Sequence, residues 1–186
     1  AYQTRILYVW AMIRRGMRRM AEKQYADAAS DFRAATEYPP NLGASRFHDS
    51  SDAQAFYLLG EALSSMDDVD GARGAWTLAA DDAPVRGAEQ AFYVGKARER
   101  LGRDDAQEAY AKILPAEESA DTPEAEARLN YLRRLERSAA GDEEAAREYL
   151  RLAQEFERAN PAKMRRYMES LAYTRSEGRR VPIAVW

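Results

Sequence analysis

Histidine and cysteine, two side chains that often act in catalysis or bind a metal, are almost absent from this sequence. The chain has one histidine, His48, and no cysteine. A cysteine nucleophile, a thiolate zinc site, a disulfide and a site built on two histidines are therefore excluded. His48 stands near Arg46 and Asp49, which permits a small polar site. A single histidine in a loop is more often a solvated side chain, and the sequence favours that interpretation.

Paired acidic residues are the other candidates for chemistry. They occur at five places, Asp67-Asp68, Asp81-Asp82, Asp104-Asp105, Glu117-Glu118 and Glu143-Glu144. Two carboxylates are what a glycosidase needs as its acid and base. Nearly all of these pairs fall at predicted turns or first helical turns, where carboxylates favour the helix dipole and water. No glycine loop of the kind that cradles phosphate is present. The sequence therefore predicts no enzyme activity for the chain by itself, with no catalytic residue, cofactor or metal.

The only compact basic cluster consists of Arg14, Arg15, Arg18 and Arg19. A solvated helix face is one interpretation. Arg15 and Arg19 stand, however, where the repeat described below has apolar residues. The alternative is that these four arginines dock a preceding domain.

Composition sets the broad class. The chain has 186 residues, of which 46% are hydrophobic and 32% charged, values typical of a globular domain. A formal net charge of −3 argues against a nucleic-acid partner, and no apolar run reaches the roughly 20 residues that cross a bilayer. The start lacks the pattern of a signal peptide. We predict no membrane partner and a cytoplasmic location, and the missing initiator methionine suggests an excised piece.

Apolar residues recur at intervals of three and four, which predicts helices throughout. A longer repeat overlies this pattern. Gly60 precedes Ala72 by twelve residues, and Trp76, Ala79 and Pro84 then follow at intervals of four, three and five. The same intervals lead from Gly16 through these residues: Ala28, Phe32, Ala35 and Pro40. Small residues at such positions let two antiparallel helices approach, with the aromatic ring filling the gap.

This pattern resembles the tetratricopeptide repeat, a helix-turn-helix unit of 34 residues. Repeats are expected at 9–42, 53–86, 88–114 and 122–158, followed by a capping helix over 161–175 and a tail over 176–186. The resemblance implies one all-α domain over 1–186, a right-handed superhelix of about four repeats. Ser51 with Gln54 predicts a capping box before the second repeat, and Thr122-Pro123 a helix start before the fourth.

A loop of about 13 residues, 38–50, interrupts the array, and loops this long in compact domains are often functional. Its candidate binding residues are Asn41, Arg46, Phe47 and His48. The run "EYPPNLG" before the loop and "AFYLLGEAL" after it are also similar to the C-terminal repeat region of bacterial β-sandwich proteins of unknown function, related to carbohydrate-active enzymes. That narrower resemblance implies that the chain is a helical part of a larger protein.

In tetratricopeptide arrays the first helix of each pair lines a concave groove. Carried across by the resemblance, the groove residues are Trp10, Ile13, Gln54, Tyr57, Glu61, Phe92, Lys96 and Tyr131. The resemblance therefore implies a non-catalytic interaction or scaffold domain. Its expected partner is a protein or peptide in this groove, or a companion β-sandwich domain of the same polypeptide. The alternative is an accessory domain of a glycoside hydrolase-like enzyme, with the 38–50 loop near the partner cleft.

Overall fold

The computed structural model describes residues 2–37, 52–85, 87–113 and 123–160. Within these ranges the regular secondary structure is entirely helical, as the sequence predicts. The described part of the chain contains eight helices: α1 (Tyr2–Ala21), α2 (Tyr25–Thr36), α3 (Ala53–Ser64), α4 (Val69–Ala80), α5 (Ala88–Arg100), α6 (Ala106–Tyr110), α7 (Pro123–Ala139) and α8 (Glu143–Ala159). They follow one another as four pairs, which confirms the helical-repeat fold.

The same type of turn joins the two helices in each of the four pairs. Each turn has one residue with positive φ: Lys23, Asp67, Gly102 and Gly141. In every case the amide of that residue donates to the carbonyl three residues earlier, and the next amide donates to the carbonyl five residues earlier. This hydrogen-bond pattern is the Schellman motif, in which a left-handed residue ends a helix and satisfies its last carbonyls. Four equivalent turns in series confirm that the chain repeats one supersecondary unit.

Small residues in the first helix of a pair receive an aromatic ring from the second. A Cβ atom added at Gly16 would lie 2.5 Å from Cε1 of Phe32, and one added at Gly60 would lie 2.9 Å from Cε2 of Trp76 and closer still to its Nε1. Ala72, the small residue that opens the recurring intervals in the second pair, is also buried. The predicted nesting of helices through these positions is therefore confirmed.

We call α1 with α2 the first hairpin, and α3 with α4 the second. Adding 44 to a residue number in the first hairpin gives its equivalent in the second, since 60 − 16 and 76 − 32 are both 44. The left-handed turn residues obey the same offset, because 67 − 23 is also 44. One register therefore relates the two hairpins from their helix contact to their turn.

The chain divides into two compact units. The first contains α1 to α4 and the part of α5 from Tyr93 onward. One core cluster joins its two hairpins, with Ala28, Ala29 and Phe32 from α2 against Leu59 and Leu63 from α3. A further cluster joins α4 to α5 through Ala79, Ala80 and Ala97. The unit is thus held together by small residues that let helices pack closely, with a few large side chains between them.

The second unit contains the start of α5, most of α6, and α7 with α8. Leu132 and Leu135 of α7 are buried, as are Ala146 and Ala153 of α8, and the two helices pack along their length. Arg133 of α7 lies with its guanidinium 5.8 Å from the centre of the Tyr149 ring of α8. That distance permits a cation–π contact between the two helices. The prediction that both units make one superhelical domain stays a prediction.

Helix α1 spans Tyr2–Ala21 and so extends in front of residue 9, at which the first repeat is expected to begin. The bounds of that repeat stay a prediction, whereas one helix-start prediction needs correction. The second repeat opens with Asp52 as N-cap, whose side chain makes no capping hydrogen bond to the helix, and Gln54 donates instead to Tyr93. The capping box that we predicted from Ser51 and Gln54 is therefore wrong for Gln54, while Ser51 lies outside the described residues. The start of α7 at Pro123 is confirmed.

Several other predicted segments lie outside the described residues. They are the loop over 38–50, the capping helix over 161–175 and the tail over 176–186.

Candidate functional site

A polar and aromatic surface forms where α3 meets the second half of α5. We call it the α3–α5 surface and define it by Gln54, Tyr57 and Glu61 of α3 with Tyr93, Lys96 and Arg100 of α5. Within each helix these residues follow intervals of three and four, which places them on one side of the helix. All six belong to the first unit.

An ion pair joins the two helices at this surface. Arg100 donates from Nε to Glu61 Oε1 at 2.9 Å and from Nη2 to Glu61 Oε2 at 2.6 Å. Such a two-point contact fixes the orientation of both side chains. The guanidinium carbon of Arg100 also lies 5.7 Å from the centre of the Trp76 ring. Arg100 is about half exposed, so the pair stands at the rim of the surface, where its contribution to stability is modest.

Two tyrosines form the floor beside this ion pair. The rings of Tyr57 and Tyr93 lie 5.7 Å apart at an angle of 44°, a tilted arrangement that aromatic pairs favour. Tyr93 is buried, and its hydroxyl accepts a hydrogen bond from Gln54 Nε2 at 3.1 Å. Tyr57 is half-buried, so part of its side chain is accessible to solvent.

The electrostatics of Tyr57 keep its hydroxyl protonated. Burial, helped by the negative charge of Glu61, raises the pKa of Tyr57 to about 12, against the opposing effect of Arg100. An ordinary tyrosine is already neutral at physiological pH, so the shift leaves the phenol neutral and able both to donate and to accept a hydrogen bond. Lys96 pairs with Glu99 at 3.6 Å and adds a second pair of charges next to the floor.

The other predicted groove residues are placed differently. Ile13 is buried in a core cluster with Ala35 and Ala55, and Trp10 is half-buried beneath the guanidinium of Arg14, 5.0 Å away. Phe92 and Tyr131, both of the second unit, are 6% and 2% exposed and offer little surface to a ligand.

Both of these aromatic side chains have internal contacts that explain their burial. Phe92 packs against the Tyr110 ring with 6.5 Å between ring centres, and the hydroxyl of Tyr131 donates to Glu89 at 3.2 Å. The predicted loop residues Asn41, Arg46, Phe47 and His48 lie outside the described part of the chain.

Sequence reasoning missed two members of this surface, Tyr93 and Arg100. A signal for both was present, because Tyr93 precedes the predicted Lys96 by three residues and Arg100 follows it by four. Positions at these intervals share a helix face, so the register of α5 was sufficient to find them.

The four predicted docking arginines separate into two pairs. Arg15 and Arg19 turn inward to one carboxylate of α2: Arg15 donates from Nε to both oxygens of Asp31 at 3.0 Å, and Arg19 donates from Nη1 to Oδ2 at 2.7 Å. Asp31 is only 2% exposed. Arg14 and Arg18 lie on the outer side and are exposed.

Asp31 is held ionised by these two arginines. Burial alone raises the pKa of its carboxyl, but the hydrogen bond and charge of Arg15 and then those of Arg19 outweigh it, so the pKa lies below its ordinary value of 3.8. A buried carboxylate without such partners would be strongly unfavourable. The polar residues at 15, 19 and 31 therefore have a structural explanation within the first hairpin.

Among the described residues, no group of three or more histidine or acidic side chains is arranged to hold a metal ion. Within the same ranges, no helix has the length and apolar character that a membrane span requires.

Comparison with known proteins finds similarity to solved structures. No protein-family model matches the chain, and no similar protein was found among curated sequences. One of the similar solved structures is described as the crystal structure of MamA. It has 22% sequence identity and a TM-score of 0.35, and the match covers 87% of this chain and 87% of that chain. At that score the likeness carries no conclusion about binding or activity.

Proposed function

We propose that this chain is a non-catalytic protein-interaction domain that binds an extended peptide segment on the α3–α5 surface. The observation that carries the proposal is the Arg100–Glu61 pair fixed beside the Tyr57 and Tyr93 rings. Rigid aromatic side chains and oriented polar groups are the features that dominate binding energy in protein interfaces.

The chemistry of this surface suits a peptide. The ring of Tyr57 provides apolar area at low entropic cost, and its neutral hydroxyl is able to pair with a backbone amide or carbonyl. The paired charges of Glu61 with Arg100, and of Lys96 with Glu99, offer partners for side chains of either sign. We expect selectivity to come mainly from the aromatic floor, because rim charges contribute more to the association rate than to affinity.

A displayed random-peptide library selected on the whole chain tests this proposal. Enriched peptides are then measured against Tyr57→Ala, Tyr57→Phe and Arg100→Ala by fluorescence anisotropy. We expect Tyr57→Ala to weaken binding at least about tenfold, as loss of a central aromatic contact does. Tyr57→Phe, which keeps the ring, should lose less.

The matched control is Arg73→Ala, an exposed arginine on α4, which is not one of the two helices that form this surface. It should leave binding within about twofold of the wild type. A library that yields no binder, or peptides that bind Tyr57→Ala and wild type equally, would overturn the proposal.

The second hypothesis, an accessory domain of a carbohydrate-active enzyme, stays a prediction, because its contact loop over 38–50 lies outside the described residues. A companion β-sandwich domain and a cytoplasmic location are predictions of the same standing. The intact mass of the native polypeptide tests the first of these, since a mass far above 21.0 kDa is required for a large companion domain.

A further inference from the structure

The turn that joins α3 to α4 leaves apolar side chains in water. We call residues 66–70, with the sequence Met-Asp-Asp-Val-Asp, the acidic–apolar turn. Val69 is 71% exposed and Met66 is 38% exposed. In the part of the chain that the structure describes, only two other large apolar side chains, Met17 and Leu78, are exposed. Burial within the fold therefore does not explain the apolar character of this turn.

The equivalent position in the other turns shows that the fold does not need an exposed apolar side chain there. Val69 follows the left-handed residue of its turn by two positions. At the same place the other three described turns have Tyr25, Asp104 and Glu143. Tyr25 is half-buried, whereas Asp104 and Glu143 are exposed. Valine is also a weaker helix former than alanine or leucine, so neither packing nor propensity accounts for Val69.

The charge of the acidic–apolar turn is one-sided. Asp67, Asp68 and Asp70 are all exposed, and the five residues include no basic side chain. Among the described residues, none of these three carboxylates forms an ion pair. Arg73, one helical turn further along α4, is exposed and does not pair with them either. Two apolar side chains thus lie between carboxylates that have no basic partner.

Hydrogen bonds hold this turn in one conformation. The amide of Asp68 donates to the carbonyl of Leu63 at 3.0 Å, and the amide of Val69 donates to the carbonyl of Asp67 at 3.1 Å. The carboxylate of Asp68 accepts from the amide of Gly71 at 3.0 Å and so caps α4. A surface that is ordered before its partner arrives loses less entropy on association.

We infer that the acidic–apolar turn binds a protein segment that has lysine or arginine next to a large apolar side chain. Charge complementarity identifies this partner: its cations face Asp67 and Asp70, and its apolar side chain covers Val69. Phosphates of nucleic acid and anionic lipid headgroups are repelled by the same carboxylates. The turn shares no residue with the α3–α5 surface, so the inference does not depend on peptide binding there.

A metal ion is the alternative ligand for neighbouring carboxylates. Ca²⁺ requires about six to eight oxygen ligands that converge on one point. Among the described residues, no group of three or more acidic side chains is arranged in this way. A basic protein segment is therefore favoured, and the test includes Ca²⁺.

Three labelled peptides are titrated with the whole chain by fluorescence anisotropy at physiological salt. The first is an amphipathic peptide of leucine and lysine, the second has alanine in place of leucine, and the third has glutamine in place of lysine. A separate calorimetric titration uses Ca²⁺ alone.

Two variants remove the features that carry the inference. The double substitution Asp67→Asn and Asp70→Asn removes two charges, and asparagine tolerates the left-handed backbone at position 67. Val69→Ala removes apolar area and keeps a good helix former. The matched control is the double substitution Asp104→Asn and Glu144→Gln, which removes two exposed charges near other turns. Tyr57→Ala monitors the α3–α5 surface.

We expect the leucine–lysine peptide to bind the wild type, and each of the other two peptides to bind at least about tenfold more weakly. Its affinity should fall at least about fivefold in the double asparagine variant and at least about threefold in Val69→Ala. The matched control and Tyr57→Ala should stay within about twofold of the wild type. Ca²⁺ should give no binding heat, and circular dichroism should show unchanged helix content in every variant.

Three results would overturn the inference. The first is a wild type that does not bind the leucine–lysine peptide, or binds it as tightly as Val69→Ala does. The second is an equal loss in the matched control or in Tyr57→Ala, which would assign binding to overall charge or to the α3–α5 surface. The third is Ca²⁺ binding that disappears in the double asparagine variant.

Discussion

The first and second hairpins share one backbone plan but differ in the chemistry of one helix contact. At positions 15, 19 and 31 the first hairpin has two arginines and an aspartate; at 59, 63 and 75 the second has two leucines and an alanine. Both sets lie at the contact between the helices of a pair, and both sets accompany an aromatic ring nested on a glycine. The same packing thus accepts a buried carboxylate with two arginines or a fully apolar set.

The difference teaches what the fold requires at this contact. Close approach of the two helices depends on one glycine in each hairpin, Gly16 in the first and Gly60 in the second. The neighbouring positions only need to fill space without leaving a polar group unpaired. Arg15 and Arg19 meet that condition because their side chains remain 45% and 27% exposed while they pair with Asp31.

Removal of the carboxylate that Arg15 and Arg19 share should give the largest change in the free energy of unfolding. Asp31→Ala leaves two arginines without their acceptor, and loss of hydrogen bonds to charged groups costs about 2–3 kcal/mol in the free energy of unfolding. Urea unfolding of the whole chain, followed by tryptophan fluorescence and circular dichroism, measures this loss.

The triple substitution Arg15→Leu, Arg19→Leu and Asp31→Ala gives the first hairpin the residues of the second. It should recover most of the stability that Asp31→Ala loses, because apolar replacement of a complete ion cluster is often neutral or stabilising. A triple variant less stable than Asp31→Ala would show that the two hairpins do not share this packing.

Lowering the pH should remove the contribution of Asp31 to the free energy of unfolding. Its pKa is lower in the folded chain than its ordinary value of 3.8, so its stabilising effect is fully present above that value and is lost as the pH falls through the folded-state pKa. The difference in unfolding free energy between wild type and Asp31→Asn should therefore be constant from about pH 5 to 7 and shrink below about pH 4. A difference that stays constant to about pH 2 would contradict the assignment.

The four turns offer a smaller comparison. Lys23 and Asp67 occupy the left-handed position that Gly102 and Gly141 fill in the other two pairs. Residues with a Cβ atom pay about 1 kcal/mol for this conformation. We expect Lys23→Gly to raise, and Gly102→Ala to lower, the free energy of unfolding by up to about 1 kcal/mol. Changes of the same sign in both variants would contradict the assignment of one turn type.

Much of the fold could be predicted from the sequence, because the intervals that join Gly16 to Phe32 and Gly60 to Trp76 leave few other ways to bury an aromatic ring. Less of the candidate site could be predicted. The burial of Phe92 and Tyr131 depends on their neighbours Tyr110 and Glu89, which lie far away in sequence, and periodicity alone does not distinguish a groove residue from a core residue.

The division of the four arginines of α1 into an inward pair and an exposed pair could not be predicted from the sequence, for a similar reason. Their spacing shows one basic cluster, whereas the inward turn of Arg15 and Arg19 depends on Asp31, sixteen and twelve residues away. The repeat register alone shows that positions 15 and 19 are equivalent to Leu59 and Leu63. The pairing of both arginines with the Asp31 carboxylate, which makes arginine acceptable at these positions, is seen only in the contact between α1 and α2.

One pair of alanine substitutions tests most directly whether helices nest through glycine at the recurrent positions. Gly60 faces the Trp76 ring, whereas a Cβ atom at Gly74 on α4 would meet nothing within 4 Å. The free energy of unfolding, measured by urea titration of the whole chain, should fall by about 1–3 kcal/mol for Gly60→Ala because the ring must move. It should rise by about 0.5–1 kcal/mol for Gly74→Ala because alanine favours a helix interior. Equal stabilisation by both substitutions would show that α3 and α4 do not meet at Gly60.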